Sequence, residues 1–250
     1  MERMQGFSQE LVDEIIGNLA YLCHGSTNSI AAYSLVSKAW VTRTQKHAFE
    51  SVQFTHTKRL EKWCRKIDPD PAGISRHTRF LFFWDISTLD GAEMHIRAFT
   101  RVECMDIIWC SFLLSPSVAE CFAPTGSSLV DLNIYRSPTT PHIISSVLAA
   151  LSQLNDVAIN DLEVTDDMDG PSLLPEIPFF EGGKSFRLYS NPDKPNPPDP
   201  DWIPPSARFN SLVIDTTYLL YKGALVNKWP YNSRATLESL RIVGAPNRRS

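Results

Sequence analysis

The chain has 250 residues, of which 43% are hydrophobic and 21% are charged, and this composition excludes an intrinsically disordered protein. Its length fits one large domain or two small ones. Its 24 Lys and Arg residues against 28 Asp and Glu residues give a formal charge of -4, and no run of like charges occurs, so nucleic acid is not expected as a main partner.

A first amphipathic helix is predicted from Ser8 onward. Leu11, Ile15 and Leu19 form one apolar stripe, and Ser8 can cap the free amides at the start of the helix. After a break at residues 25–28, two further short helices are predicted. Three short helices in about forty residues bury too little apolar surface to offset the entropy of ordering them, so this unit needs a partner surface.

Two sequence blocks stand out in this unit: FSQELVDEII at residues 7–16 and YSLVSKAW at residues 33–40. At this spacing they resemble an F-box, in particular the F-box-like form that is common in fungal proteins. The resemblance covers residues 5–54, although Phe7 and Ser8 stand where the family usually has Leu-Pro.

The resemblance implies that a three-helix F-box-like domain docks onto a Skp-type adaptor, which links it to a cullin-based ubiquitin ligase complex. The residues that match adaptor-binding positions of the family are Phe7, Leu11, Ile15, Ile16, Leu35, Val36 and Trp40. The alternative interpretation is that these side chains are the core of a small helical cap on the following domain.

A short pattern, apolar-x-x-apolar-x-apolar, recurs through the rest of the chain and is typical of a strand with one inward face. Its middle positions are separated by 24, 27, 25, 29, 26 and 28 residues, and they are Leu81, Met105, Leu132, Val157, Phe186, Leu212 and Leu240. A nearly constant period of this size predicts a solenoid of parallel strands joined by short helices and loops.

Polar residues follow some of these strands at a fixed distance. Three residues after the last apolar position stand Cys110 and Asn191, and Ser137 and Thr217 are polar stand-ins at this place. The equivalent residues of the other strands depart from this type, and they are Ile86, Leu162 and Ala245. The period and these residues resemble a degenerate leucine-rich repeat, in which a Cys or Asn at this place bonds the loop backbone.

The two resemblances together imply an α/β chain. The small three-helix F-box-like module at 5–54 precedes an irregular leucine-rich-repeat solenoid at 75–250. Solenoids need a polar end cap, and only the sequence GAPNRRS follows the last predicted strand. The hypothesis is therefore that the solenoid is truncated at its C-terminus.

The segments between the strands contain predicted helices and long connections. Helices are predicted at 116–122 and at 141–151, the second with Thr140 as its N-cap. The connections 166–183 and 191–205 are predicted to be exposed insertions, the second because it is rich in proline. Trp229 either anchors a partner or packs beneath its own loop, and packing is the preferred interpretation.

The sequence lacks the motifs of the common catalytic and metal sites. GGKS at residues 182–185 is not a phosphate-binding loop, because Pro178 stands where that loop requires glycine. No His-Glu-x-x-His, Cys-x-x-Cys or Gly-x-Ser-x-Gly occurs. We therefore expect no enzyme activity, no cofactor and no metal.

Two further expectations concern the cellular setting. No apolar stretch approaches the roughly 18 to 20 residues that span a bilayer, and the first residues lead into an acidic amphipathic segment, so we expect no membrane partner and an intracellular protein, cytoplasmic or nuclear. Five cysteines, an odd number scattered through apolar or helical contexts, favour reduced and mostly buried thiols over a disulfide framework.

The implied function is that of a substrate-recognition subunit of an SCF-type ubiquitin ligase. The F-box would hold the Skp-type adaptor, and the repeat face would hold a target protein whose identity the sequence does not give. The alternative is a leucine-rich-repeat interaction scaffold that recruits no ligase. A hydrolase or nucleotide-binding enzyme is a third and remote alternative, because its motifs are missing.

Overall fold

The computed structural model describes residues 14–15, 44, 47–66, 74–165, 184–190, 203, 207–216 and 228–244. Within these residues the chain is α/β, with one eight-stranded sheet and few helices. No helix in these ranges is long and apolar enough to cross a bilayer.

Eight strands form the main sheet and two form a small second sheet. In chain order the ten strands are β1 (Ser51–Phe54), β2 (Phe80–Trp84), β3 (Cys104–Ile108), β4 (Asp131–Tyr135), β5 (Pro138–Thr139), β6 (Asp156–Asn160), β7 (Glu163–Val164), β8 (Lys184–Tyr189), β9 (Phe209–Asp215) and β10 (Ser239–Val243). The main sheet has the order β1-β2-β3-β4-β6-β8-β9-β10. All of its pairings are parallel, as is the pairing of β5 with β7.

Each of the seven strands predicted from the repeat is present, and the middle positions of the repeat lie opposite one another. Leu81 is opposite Met105, and the same register runs through Leu132, Val157, Phe186, Leu212 and Leu240. The structure adds β1, which falls inside the range 5–54 that the sequence assigned to the helical module. The parallel α/β sheet is thus confirmed, while the three-helix module and the solenoid stay predictions.

Short helices lie between the strands. Those with described bounds are α1 (Thr57–Lys66), α2 (Glu93–Arg97), α3 (Val118–Phe122), α4 (Pro141–Ala150) and α5 (Lys228–Ser233). Thr140 caps α4 as predicted, because its Oγ1 accepts a hydrogen bond of 3.3 Å from the backbone N–H of Ile143. The helix predicted at 116–122 is α3, which begins two residues later than the sequence suggested.

One side of the sheet, which we call the packed face, joins the helices in a single apolar cluster. Its central members are buried to within 1% exposure, and they are Leu81, Phe83, Met105, Ile107, Leu132, Ile134, Val157, Ile159, Phe186 and Leu188. The ring of Phe83 lies 5.8 Å from that of Phe54, 5.4 Å from Phe112 and 6.1 Å from Phe122, measured between centroids. Burial of each such side chain contributes about 2 to 3 kcal/mol to stability.

The same turn follows β2, β3, β4 and β6. The first residue after each strand has a positive φ, namely 54° at Asp85, 55° at Trp109, 46° at Arg136 and 53° at Asp161. The backbone N–H of each donates a 2.9 Å hydrogen bond to the carbonyl of the last residue of the neighbouring strand in the main sheet. These bonds help to hold a left-handed conformation that costs a non-glycine residue about 1 kcal/mol or more.

Two predictions about the C-terminal part have different outcomes. Trp229 is fully buried and meets Phe209 edge to face at a centroid distance of 6.3 Å, so it packs inside the protein as preferred. Ile203 is also fully buried, so the prediction of an exposed insertion at 191–205 is wrong at this position. The rest of that connection, and all of 166–183, lie outside the described residues.

Candidate functional site

The side of the sheet opposite the packed face remains accessible to solvent in its central strands. Side chains alternate between partly exposed and buried along β3 and β4, because successive residues of a strand point to opposite faces. We call the accessible side of β2, β3, β4, β6 and β8 the open face. Its positions are Phe80, Phe82, Trp84, Cys104, Asp106, Ile108, Asp131, Asn133, Tyr135, Asp156, Ala158, Asn160, Ser185, Arg187 and Tyr189.

Large aromatic side chains occupy one end of the open face. Phe80 is 37% exposed and Trp84 is 40% exposed, and Phe82 lies between them on β2. Trp109, in the turn after β3, is 47% exposed and meets Trp84 edge to face, with centroids 5.5 Å apart and planes at 88°. These four residues are named the aromatic patch. Clustered exposed aromatic rings are uncommon on a surface that binds nothing.

Three carboxylates lie on the strands that follow β2, and the nearest of them, Asp106, is in register with Phe82 of the aromatic patch. Asp131 on β4 faces Asp156 on β6 in register, and Asp106 on β3 accepts a 2.8 Å hydrogen bond from the side-chain amide of Asn133. Asp106, Asp131 and Asp156 are named the acidic cluster. Like charges directly opposite each other on neighbouring strands destabilise a sheet, so this arrangement is not explained by the fold.

The carboxylates differ in how their charge is compensated. The Arg187 guanidinium donates from Nε at 3.1 Å and from Nη2 at 2.9 Å to one oxygen of Asp156. Burial raises the pKa of Asp106, and the hydrogen bond from Asn133 opposes that rise. Burial also raises the pKa of Asp131, with repulsion from Asp156 as the next cause. Within the described residues the Asp131 carboxylate has no hydrogen-bond or ion-pair partner.

Cys104 shares the open face with these carboxylates, and its environment disfavours the thiolate. Burial raises its pKa to about 11, and the charges of Asp106 and Asp131 act in the same direction. A thiol with this pKa is a poor nucleophile near neutral pH. The four described cysteines, including Cys104, are unpaired. The described ranges also contain no group of three or more His, Cys, Asp or Glu side chains placed to hold a metal ion.

Apart from the open face, a hollow lies near the amino ends of the first strands. This hollow, of about 300 Å³, is lined by Arg76, Arg79 and Arg101 together with Glu50 and Glu103. Arg79 pairs with Glu103 through two nitrogens and approaches Glu50 at 3.5 Å. Because its carboxylates already bind the central arginine, the hollow is an ion-pair network, and the open face is the stronger candidate for a functional surface.

The adaptor-binding residues predicted from the sequence are largely outside the described residues. Six of them lie there: Phe7, Leu11, Ile16, Leu35, Val36 and Trp40. Ile15 lies in a helical segment and is half-buried. The adaptor surface therefore stays a prediction.

The aromatic patch and the acidic cluster were not predicted from the sequence. The signal that could have found them is the alternation within each predicted strand. Residues directly before the middle positions of the repeat, such as Asp131 before Leu132 and Asp156 before Val157, must point away from the core. Pairing them across strands, however, requires the register, which the structure supplies.

No protein-family model, curated protein or solved structure matches the chain.

Proposed function

We propose that the chain is a protein-recognition subunit of an SCF-type ubiquitin ligase that holds its target on the open face. The observation that carries the target-binding part is the aromatic patch, in which Phe80, Trp84 and Trp109 are each more than a third exposed. Leu240 and Ile242 on the last strand, β10, are also exposed, but they do not belong to this cluster of rings. Rigid strands and partly exposed aromatic side chains are typical of surfaces that anchor a protein partner. No step of this function requires a reacting group in this chain.

The repeated turn supports the leucine-rich-repeat solenoid as the scaffold of this face. The Sγ of Cys110 donates to the carbonyl of Ile108 at 3.2 Å. The Oγ of Ser137 donates to the carbonyl of Tyr135 at 3.0 Å and accepts from the N–H of Cys110 at 3.0 Å. These are the loop-backbone bonds that the resemblance implies at this place. At the equivalent position Ile86 and Leu162 are buried apolar residues that fill the core instead.

The sheet order also supports a solenoid. Strands of the main sheet are neighbours in chain order, as expected when each repeat contacts only the repeats before and after it. The short pair of β5 with β7 adds a second parallel contact between two consecutive repeats. A doubly wound α/β sheet would instead reverse its strand order near the middle.

The ligase part of the proposal rests on the F-box-like sequence. Its last four residues, Ser51–Phe54, form β1, which pairs with β2 beside the aromatic patch. In the sequence, only residues 41–50 separate Trp40, the last of the proposed adaptor-binding residues, from β1. The mechanism would be proximity: the adaptor and the target are held by one molecule, and the resulting effective concentration lets a recruited conjugating enzyme modify target lysines.

The test of the ligase part is co-expression of the full chain with a Skp-type adaptor, followed by size-exclusion chromatography. The full chain is used because β1 is part of the sheet, so a truncation after the F-box-like segment would remove a strand. We expect a stable complex that Leu35→Ala or Trp40→Ala weakens by about 2 to 4 kcal/mol of binding free energy.

The matched control is Met94→Ala, which removes a side chain that is 65% exposed on α2 and should leave adaptor binding unchanged. Circular dichroism of each variant checks that the sheet is folded. A folded, monodisperse full chain that ignores the adaptor would contradict the ligase part and favour an interaction scaffold without ligase recruitment.

A further inference from the structure

We propose that the segment bound on the open face is basic and carries a large apolar side chain close to a lysine or arginine. This inference rests on the target-binding part of the proposed function and names the chemistry of the target. It concerns a surface on which an apolar region and a negatively charged region lie side by side. The apolar region favours a large apolar side chain in the bound segment, which we call the anchor. The negatively charged region favours a positive charge close to that anchor.

The apolar anchor follows from the aromatic patch. Trp84 and Trp109 form a corner of two perpendicular rings at the end of β2 and β3, and Phe80 and Phe82 continue the apolar surface along β2. An aliphatic or aromatic side chain placed on this corner would bury ring surface that is now in water. A wholly polar segment would gain nothing from these rings.

The positive charge follows from the balance of charges on the open face. Among the face positions of β2 to β8 there are three carboxylates, Asp106, Asp131 and Asp156, against one guanidinium, Arg187. That guanidinium is engaged with Asp156, and the nearby Arg136 in the turn after β4 lies 3.5 Å from the buried carboxylate of Asp161. Both guanidinium groups are thus engaged with other carboxylates, although the charge of Arg187 also attracts Asp131. Asp131 itself has no hydrogen-bond or ion-pair partner among the described residues.

An acidic segment would meet repulsion on the same surface. Bringing another carboxylate or a phosphate against the acidic cluster opposes binding and disfavours the wrong partner. A lysine or arginine placed between Asp106 and Asp131 would instead relieve the repulsion among the carboxylates and supply the missing partner.

The sheet geometry relates the two selected side chains. Neighbouring strands lie about 4.8 Å apart, so an anchor over Phe80 and a cation over Asp131, which are at the same level of the sheet, are about 10 Å apart. An anchor on the corner of Trp84 and Trp109 lies four residues farther along the strands, which raises the separation to about 16 Å. An extended chain advances about 3.3 Å per residue, so the two side chains should be about three to five residues apart. The long stem of Lys or Arg can shorten this spacing by lying along the rings.

The experiment selects random short peptides, displayed on phage, against the immobilised full chain. In parallel, the same library is selected against the full chain with Trp84→Ala and with Asp131→Lys. We expect the native chain to enrich peptides that carry Lys or Arg near a large apolar residue. A synthetic copy of the enriched peptide should bind about tenfold more weakly to Asp131→Asn, since a charge-assisted contact is lost.

Two controls keep this result specific. Met94→Ala removes an exposed apolar side chain from α2, outside the open face, and should not change peptide binding. The Asp131→Lys chain should lose the basic peptides and enrich acidic ones.

Enrichment of acidic or uncharged peptides by the native chain would overturn the inference while leaving the open face as a docking surface. Peptides equally enriched on the Trp84→Ala chain would overturn both the inference and the target-binding part of the proposed function. Adaptor binding is measured separately and would not be affected by either result.

Discussion

The packed face and the open face consist of alternating residues of the same strands, yet their side chains follow different rules. On the packed face every central strand contributes apolar residues at both inward positions, and these are almost completely buried. On the open face the side chains change from three aromatic residues on β2 to an acid, an amide and a tyrosine on β4. The packed face is constrained by burial and repeats, whereas the open face is free to vary and can be selected for a partner.

The largest expected difference between the two faces is in the stability lost when two adjacent residues of β2 are replaced by alanine. Phe83→Ala should lower the free energy of unfolding by about 3 to 5 kcal/mol, because it leaves a cavity among the rings of Phe54, Phe112 and Phe122. Chemical denaturation followed by circular dichroism measures this change. The matched control is Phe82→Ala, which changes the preceding residue, on the open face. This variant should lower the free energy of unfolding clearly less. Equal losses would contradict the division into two faces.

A smaller effect is expected in the repeated turn at the edge of the packed face. Ser137→Ala removes a fully buried hydroxyl that bonds the N–H of Cys110 and the carbonyl of Tyr135, so it should cost about 1 to 3 kcal/mol. Ser145→Ala on α4 is the control, because the Oγ of Ser145 is equally buried and has no partner within the described residues. If both variants lost the same stability, the turn bonds would have no special importance.

The smallest change in stability is expected on the open face, where the substitution should stabilise the fold instead of destabilising it. Since the pKa of Asp131 is raised in the folded protein, its ionised form destabilises the fold at neutral pH, and this penalty disappears as the pH falls below the carboxyl range. Asp131→Asn should therefore raise stability at neutral pH by less than about 1 kcal/mol, because the residue is only half-buried and solvent screens its charge.

Thermal melting at neutral and at acidic pH measures this effect, and the gain of the variant over the native chain should vanish at acidic pH. Asp90→Asn, in an exposed loop outside the acidic cluster, is the control. A loss of stability in Asp131→Asn at neutral pH would show that the Asp131 carboxylate is compensated in the folded chain.

The packed face could be predicted from the sequence, because two residues of each strand must be apolar and the strands recur with a nearly constant period. The repeat pattern by itself puts Leu81, Met105 and Leu132 at equivalent positions of successive strands, and they are indeed in register. β1 was missed although Phe49, Val52 and Phe54 have the spacing of the repeat, because these residues follow directly on a helical pattern and fall within the range 5–54 that was assigned to the helical module. Nothing in the side chain of Trp109 predicts its positive φ, which the hydrogen bond to Tyr135 supports.

The candidate site was less predictable for a physical reason. Asp131 and Asp156 are distant in sequence and become neighbours only when the strands pair in a definite register. No local pattern marks them, because residues on an exposed sheet face need not be of any particular type. The adaptor residues, by contrast, were predicted from a local sequence resemblance and lie mostly outside the described part of the chain.

The most direct test of the central claim is hydroxyl-radical footprinting of the free full chain, with oxidation of individual tryptophans measured by mass spectrometry. An open face predicts strong oxidation of Trp84 and Trp109, which are 40% and 47% exposed, and little oxidation of the fully buried Trp229. Addition of an enriched basic peptide should then protect Trp84 and Trp109 and leave Trp229 unchanged. Protection of Trp84 and Trp109 in the free chain would mean that this face is already covered, and it would contradict the claim that it receives a partner.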